Sequence, residues 1–150
     1  MRGRLLVQAG TKFLAGIAVV GLLLFLSAGT IGYWHAWLLI GVLFIPMLVV
    51  GAVLLLKCPE LLKKRLNANE EETEQKRVMG LSLLMFVGGF VVAGLDFRHG
   101  WSHLPNGVII AAAILFVAAY GLFAEVMREN AYLSRTVEVQ ANQKVIDTGL

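Results

Sequence analysis

Charged side chains and cysteines are scarce in this chain. Aspartate, glutamate, lysine and arginine make up 15% of its 150 residues, whereas apolar residues make up 58%. Soluble domains usually carry about 25% charged and about 45–50% apolar residues, so a water-soluble core of this size could not hide so much apolar surface. The single cysteine, Cys58, excludes an internal disulfide, and no cysteine–histidine spacing typical of a zinc site occurs. The composition therefore predicts a protein that is solvated by lipid.

Charge is absent from four long stretches, which cover residues 13–32, 37–56, 78–95 and 107–124. About 20 helical residues cross the roughly 30 Å core of a bilayer, so each stretch is long enough to span it. None alternates polar and apolar residues as the strands of a β-barrel do. We therefore predict an all-α, polytopic membrane protein: a single transmembrane domain over residues 1–150 with helices at about 13–32, 37–56, 78–95 and 107–133.

The basic residues predict how these helices are oriented. Of the 13 lysines and arginines, three precede the first helix, six lie in the 57–77 loop, three follow the last helix, and only Arg98 lies in the third loop. Lysine and arginine collect on the cytoplasmic side, so both chain ends, the 57–77 loop and the 134–150 tail are expected there. The first apolar run is longer than the core of a signal peptide, so we expect it to be retained. The charge distribution therefore predicts a multi-pass membrane protein.

Two further patterns concern the surroundings of the spans. Trp34, Trp37 and Trp101 fall at the outer ends of the predicted helices, where indole rings suit the headgroup layer. Gly89 and Ala93 stand four residues apart, a pair that permits two helices to approach closely. Because the basic residues flank the helices and form no continuous stripe, we expect the lipid bilayer and no nucleic acid as partner.

The 57–77 loop contains a pattern of its own. Pro59 and Glu60 suit the first turn of a helix, and Leu61, Leu62 and Leu66 then share one face among basic neighbours. This pattern predicts a short amphipathic helix at the cytoplasmic interface, between the second and third transmembrane helices. The alternative is an ordinary solvated, charged loop.

No motif of a soluble enzyme is present in the chain: it has no phosphate-binding glycine loop and no catalytic serine–histidine–aspartate spacing. His99 and His103 could form part of a metal site, but no metal cluster is expected. Asp96 and Arg98 border the outer end of the third span, where we expect them to pair or reach the interface rather than catalyse. Glu125, at the inner end of the fourth span, is a candidate intramembrane carboxylate that can usually reach water. Composition and spacing alone leave the function open.

Three blocks of sequence stand in a fixed order relative to the predicted helices. The first is Pro-Glu-Leu-Leu-Lys-Lys-Arg-Leu at 59–66, directly after a second transmembrane helix. The second is Ala-Gly-Leu-Asp-Phe-Arg-His-Gly-Trp-Ser at 93–102, followed by Leu-Pro at 104–105. The third runs from Glu-Asn-Ala-Tyr-Leu-Ser-Arg-Thr-Val-Glu-Val-Gln at 129–140 into Gln-Lys-Val-Ile-Asp-Thr-Gly-Leu at 143–150. In this order the three blocks resemble the bacterial isoprenylcysteine carboxyl methyltransferase family of membrane enzymes, and with the helices around them the resemblance covers nearly the whole chain. The resemblance implies a bacterial inner (plasma) membrane as the location.

The resemblance implies a methyltransferase that uses S-adenosylmethionine to esterify the carboxylate of a lipidic, prenylcysteine-type acceptor. It also implies that Gln143, Val145, Ile146 and Gly149 line one edge of the cofactor site, with Gln143 standing where the namesake enzymes carry histidine. In the family, a Tyr-x-x-x-Arg-His-Pro-x-Tyr motif follows and builds most of the active site. That motif is not in this chain, so the catalytic residues are expected beyond Leu150.

Two main hypotheses of function follow. In the first, the chain is the N-terminal membrane portion of such a methyltransferase, truncated before its catalytic half and inactive alone. In the second, it is a non-catalytic four-helix scaffold or partner subunit. A small transporter is a weaker third hypothesis, because the spans carry few polar residues and no internal repeat.

Overall fold

The computed structural model describes residues 2–66 and 73–129, and helices account for nearly all of them. In chain order they are α1 (Arg2–Ala28), α2 (Trp34–Lys57), α3 (Pro59–Leu66), α4 (Thr73–His99) and α5 (Asn106–Glu129). Four of them, all but α3, are long and apolar enough to cross a membrane. The predicted all-α fold with four membrane-spanning helices and one short intervening helix is confirmed.

The helices differ in their bounds from the predicted spans. α1 begins eleven residues earlier than predicted, at Arg2, and ends at Ala28 rather than at residue 32. It ends there because Gly29 adopts a positive φ of 70°, and its N–H donates to the Phe25 carbonyl at 2.9 Å. Glycine at this position is the usual end of a helix, since a side chain would strain the left-handed backbone. α4 likewise extends beyond the predicted 78–95 at both ends, and α5 is described as far as Glu129.

The four long helices are arranged in the order α4, α1, α2, α5. α1 packs against α4 on one side and α2 on the other, and α5 packs against α2. α1 and α2 are antiparallel: Phe44 of α2 meets Phe13 edge-on, with ring centroids 5.6 Å apart, while Ala36 lies in a cluster with Leu24 and Ala28. Within the described ranges α4 and α5 do not pack together, although six residues join them.

Buried side chains are few among the described residues, and all the apolar ones except Leu5 and Phe44 belong to two clusters. One contains Leu24, Ala28, Tyr33 and Ala36, at the end of the molecule where α1 stops and α2 starts. The other contains Leu54, Leu61 and Leu62, where α3 turns back on α2. Most large apolar side chains of the long helices are exposed. Because lipid tails are as apolar as leucine, such surfaces are compatible with contact to a bilayer and need no protein cover.

The two ends of the molecule differ in composition and are named here the aromatic end and the basic end. The aromatic end comprises residues 29–37 together with residues 96–105. The basic end comprises Lys57, α3, and the segments 2–12 of α1, 73–77 of α4 and 123–126 of α5.

Candidate functional site

The aromatic end is built on a close contact between α1 and α4. Gly94 of α4 is buried, and a Cβ added there would stand 2.7 Å from the Leu24 carbonyl oxygen and nearer still to the Ser27 hydroxyl. A residue without a side chain is therefore required for this approach. Of the predicted small-residue pair, Ala93 packs against the cluster around Leu24, but Gly89 faces open space. The predicted role of Gly89 in helix approach is wrong, because the face of α4 that meets α1 is the one that carries Gly94.

Tyr33 is the central side chain of this end. Its ring stacks on Phe97 of α4 with centroids 4.2 Å apart and planes at 21°. Its hydroxyl reaches the Ala93 carbonyl oxygen at 3.4 Å, at the long limit of a hydrogen bond. Burial raises the pKa of the Tyr33 hydroxyl above its usual range, and the negative charge of Asp96 raises it further. The turn between α1 and α2 is thereby tied to the end of α4.

His35 lies between aromatic rings from two helices. Its ring centroid is 4.0 Å from that of Trp34 and 6.4 Å from that of Phe97. Its Nε2 atom is buried and has no hydrogen-bond partner among the described residues. An unpaired buried nitrogen of this kind costs about 1–3 kcal/mol. His35 is therefore the residue of this end whose polar atom is left unsatisfied by the described structure.

Asp96 closes the turn that follows α4. Its carboxylate accepts hydrogen bonds from the Ser102 N–H at 2.8 Å and from the Ser102 hydroxyl at 2.7 Å. Gly100, at a φ of 63°, ends the helix and donates its N–H to the Asp96 carbonyl. Arg98 extends toward α1, where its guanidinium lies beside Gly29. Of the two expected arrangements, pairing of Asp96 with Arg98 is not the one observed: Asp96 holds the turn through Ser102, and Arg98 lies against the end of α1.

The two remaining histidine candidates of this end, His99 and His103, lie at its surface. His99 is exposed and stacks on Trp101 with centroids 5.3 Å apart, and His103 is exposed. Within 2–66 and 73–129, no three histidine, cysteine or acidic side chains come together in a metal-binding arrangement.

Trp37 stabilises the turn between α1 and α2. Its indole N–H donates a hydrogen bond to the Ile31 carbonyl at 2.9 Å.

At the basic end, α3 fulfils the predicted amphipathic pattern. Leu61 and Leu62 are buried against Leu54 of α2, and Leu66 packs on the edge of the same cluster. α3 contacts both α1 and α2, so its apolar face is covered by protein. Lys12 of α1 donates a hydrogen bond to the Leu66 carbonyl, the last one of α3. An ammonium group at this place also complements the negative end of the helix dipole.

Arg65 extends this contact to α5. Its guanidinium carbon lies 5.2 Å from the centroid of the Phe123 ring, within the range of a cation–π interaction. α3 therefore joins three of the four long helices at the basic end, through packing on α1 and α2 and through one side chain on α5. Glu125, the candidate intramembrane carboxylate, is half-buried near the same end of α5 and has an interaction partner there.

The structure does not describe the residues that the family resemblance assigns to the cofactor. Gln143, Val145, Ile146 and Gly149 fall outside the described residues, as does the predicted extension of the last helix to residue 133. The sequence reasoning also missed two features of the aromatic end, the Tyr33–Phe97 stack and the buried Nε2 of His35. The Tyr-Trp-His run at 33–35 was the available signal, but it gives no partner on α4.

The chain matches no family model, and no curated protein or solved structure matches it.

Proposed function

We propose that this chain is the N-terminal membrane portion of an S-adenosylmethionine-dependent methyltransferase of the isoprenylcysteine carboxyl methyltransferase type. Its acceptor would be a carboxylate on a lipidic, prenylcysteine-like molecule. The observation that carries the proposal is the order of the three sequence blocks relative to four apolar helices, in the arrangement that the family shows. The membrane character that such an acceptor requires is shown by the four spans.

The local structure of two blocks supports the proposal. The 59–66 block coincides with α3, whose leucines pack back on α2 and whose last carbonyl is bound by Lys12. The 93–102 block forms the end of α4, where Gly94 permits the approach to α1 and Asp96 fixes the following turn. Each block thus has residues with specific structural roles, which reduces the chance that the resemblance reflects apolar composition alone.

The proposed reaction asks little of an acid or base. A carboxylate oxygen attacks the methyl carbon of the sulfonium donor, a C–O bond forms, and the C–S electron pair returns to sulfur without any proton transfer. Rate must then come from alignment and exclusion of water. The residues that the resemblance places at the methyl donor lie outside the described part of the chain. The exposed apolar faces of α4 and α5 would let a prenyl chain approach from the bilayer.

The decisive experiment combines gene sequence and assay. We expect the reading frame to continue past codon 150 into an Arg-His-Pro motif. The longer polypeptide, purified in detergent, should then transfer label from methyl-tritiated S-adenosylmethionine to an N-acetylated farnesylcysteine, while residues 1–150 alone should not. A matched variant of the longer chain with alanine at the motif arginine serves as the inactive control. A stop codon after Leu150, or turnover by residues 1–150 alone, would contradict this proposal.

A second candidate, a non-catalytic scaffold or partner subunit, is favoured by one observation. Among the described residues α5 packs against α2 and meets Arg65 of α3, and large side chains such as Ile114, Leu115 and Leu122 are exposed. This surface could accept helices of another membrane protein. A stop codon at position 151, together with co-purification of one stoichiometric membrane partner, would support this function over methyl transfer.

A further inference from the structure

The basic end carries cations directly beside exposed apolar surface. Lys57 is the last residue of α2 and is exposed, and its neighbour Leu56 is 70% exposed. The same change from basic to apolar occurs on α4, where Arg77 precedes Val78, which is 56% exposed. On both α2 and α4, a basic residue is therefore followed or preceded directly by an exposed apolar residue.

The packing of α3 turns a further cation outward at this border. Because Leu61 and Leu62 face α2, Lys63 on the opposite side of the short helix is exposed. Glu60 is the one carboxylate in the sequence of α3, against three consecutive cations at 63–65. Over the described side chains of the whole basic end, cations outnumber carboxylates: Arg4, Lys12, Lys57, Lys63, Arg65, Lys76 and Arg77 stand against Glu60 and Glu125.

We propose that Lys57 and Lys63 form a binding surface for the headgroup of an anionic phospholipid. A lipid phosphate would lie against either ammonium group, while the acyl chains would lie on the apolar surface that begins at Leu56. A phospholipid matches both parts of this surface, whereas an acidic peptide matches only the cations. Basic clusters next to a transmembrane helix attract anionic lipids for this reason.

The test measures lipid selectivity of the whole 150-residue chain in vesicles. The protein is reconstituted in phosphatidylcholine, and spin-labelled phosphatidylglycerol or phosphatidylcholine is added at trace level. The motionally restricted fraction of each label gives their relative association with the protein. Since one lysine near an anionic surface changes binding by about fivefold, we expect phosphatidylglycerol to be preferred by about that factor at least. The preference should fall as salt is raised from low ionic strength.

Two double variants separate charge from side-chain identity. In K57Q/K63Q the motionally restricted fractions of the phosphatidylglycerol and phosphatidylcholine labels should become nearly equal. K57R/K63R should keep the preference of the natural chain for phosphatidylglycerol. Lys57 and Lys63 are both exposed. Equal far-UV circular dichroism spectra of the natural chain and the two variants verify that the variants remain folded.

Either of two results would overturn the proposal. Equal restriction of both labels by the natural chain would mean that another occupant, such as an acidic protein or the acidic residues 70–74 of this chain, covers the cations. A preference that persists in K57Q/K63Q would place the lipid site elsewhere on the molecule.

Discussion

Replacing Gly94 by alanine is the most direct test of how α1 and α4 pack. The added methyl group would stand 2.7 Å from the Leu24 carbonyl oxygen, whereas ordinary contacts of a Cβ atom begin at 3.4 Å. The difference between these distances means that α4 must move away from α1 by about 0.7 Å, or the side chains between them must shift. Overpacking of this kind costs about 1–3 kcal/mol.

The matched control is Gly89→Ala on the same helix. A Cβ at Gly89 meets nothing within 4 Å, so this change reports only the backbone preference of alanine over glycine. That preference favours alanine by about 0.5–1 kcal/mol in the middle of a helix. G89A should therefore raise the free energy of unfolding by about 0.5–1 kcal/mol. G94A has the same gain in helix preference but also the overpacking cost, so its free energy of unfolding should lie about 1–3 kcal/mol below that of G89A.

The assay is reversible unfolding in dodecylmaltoside micelles with increasing SDS, followed by far-UV circular dichroism. A second variant, Ser27→Gly, removes the hydroxyl and Cβ that the new methyl group meets first. In the G94A background it should recover part of the loss, though the Leu24 carbonyl remains. Equal unfolding free energies for G94A and G89A would refute the assigned packing face of α4.

Three further predictions concern the turns at the two ends of the molecule. Cys58, exposed between α2 and α3, should resist a membrane-impermeant maleimide in intact cells and react after lysis, whereas Ser102→Cys in a Cys58→Ser chain should react in intact cells. The reverse pattern would mean that the chain has the opposite orientation in the membrane. Because the pKa of Tyr33 is raised in the folded state, the stabilising effect of its neutral hydroxyl should be complete below pH 10 and be lost as pH rises through the folded pKa. The part of the absorbance titration at 295 nm that is missing from Tyr33→Phe should have its midpoint above pH 10, and a midpoint at or below pH 10 would contradict the burial of Tyr33. Asp96→Ala removes both acceptors of Ser102 and should cost about 1 kcal/mol; hydrogen exchange of the Ser102 amide should accelerate, whereas unchanged exchange would mean that the turn is held by other contacts.

The sequence by itself determined where this chain can meet lipid. Uncharged runs of about 20 residues are read directly as membrane spans, because a charged side chain in the bilayer core is costly. The same local logic predicted α3, since Leu61, Leu62 and Leu66 share a face only in a helix. Helix ends were less well predicted. The stop at Gly29 depends on one backbone conformation inside an uninterrupted apolar run, which composition does not mark.

The tertiary structure decided which faces of these helices meet. Lipid and protein neighbours are almost equally apolar, so a membrane helix carries little hydrophobic asymmetry to indicate its packing face. For that reason the sequence favoured Gly89, and only the three-dimensional arrangement identified Gly94. The Tyr33–Phe97 stack likewise joins residues far apart in the chain. Such pairs follow from the order α4, α1, α2, α5, which the pattern of charge along the chain does not predict.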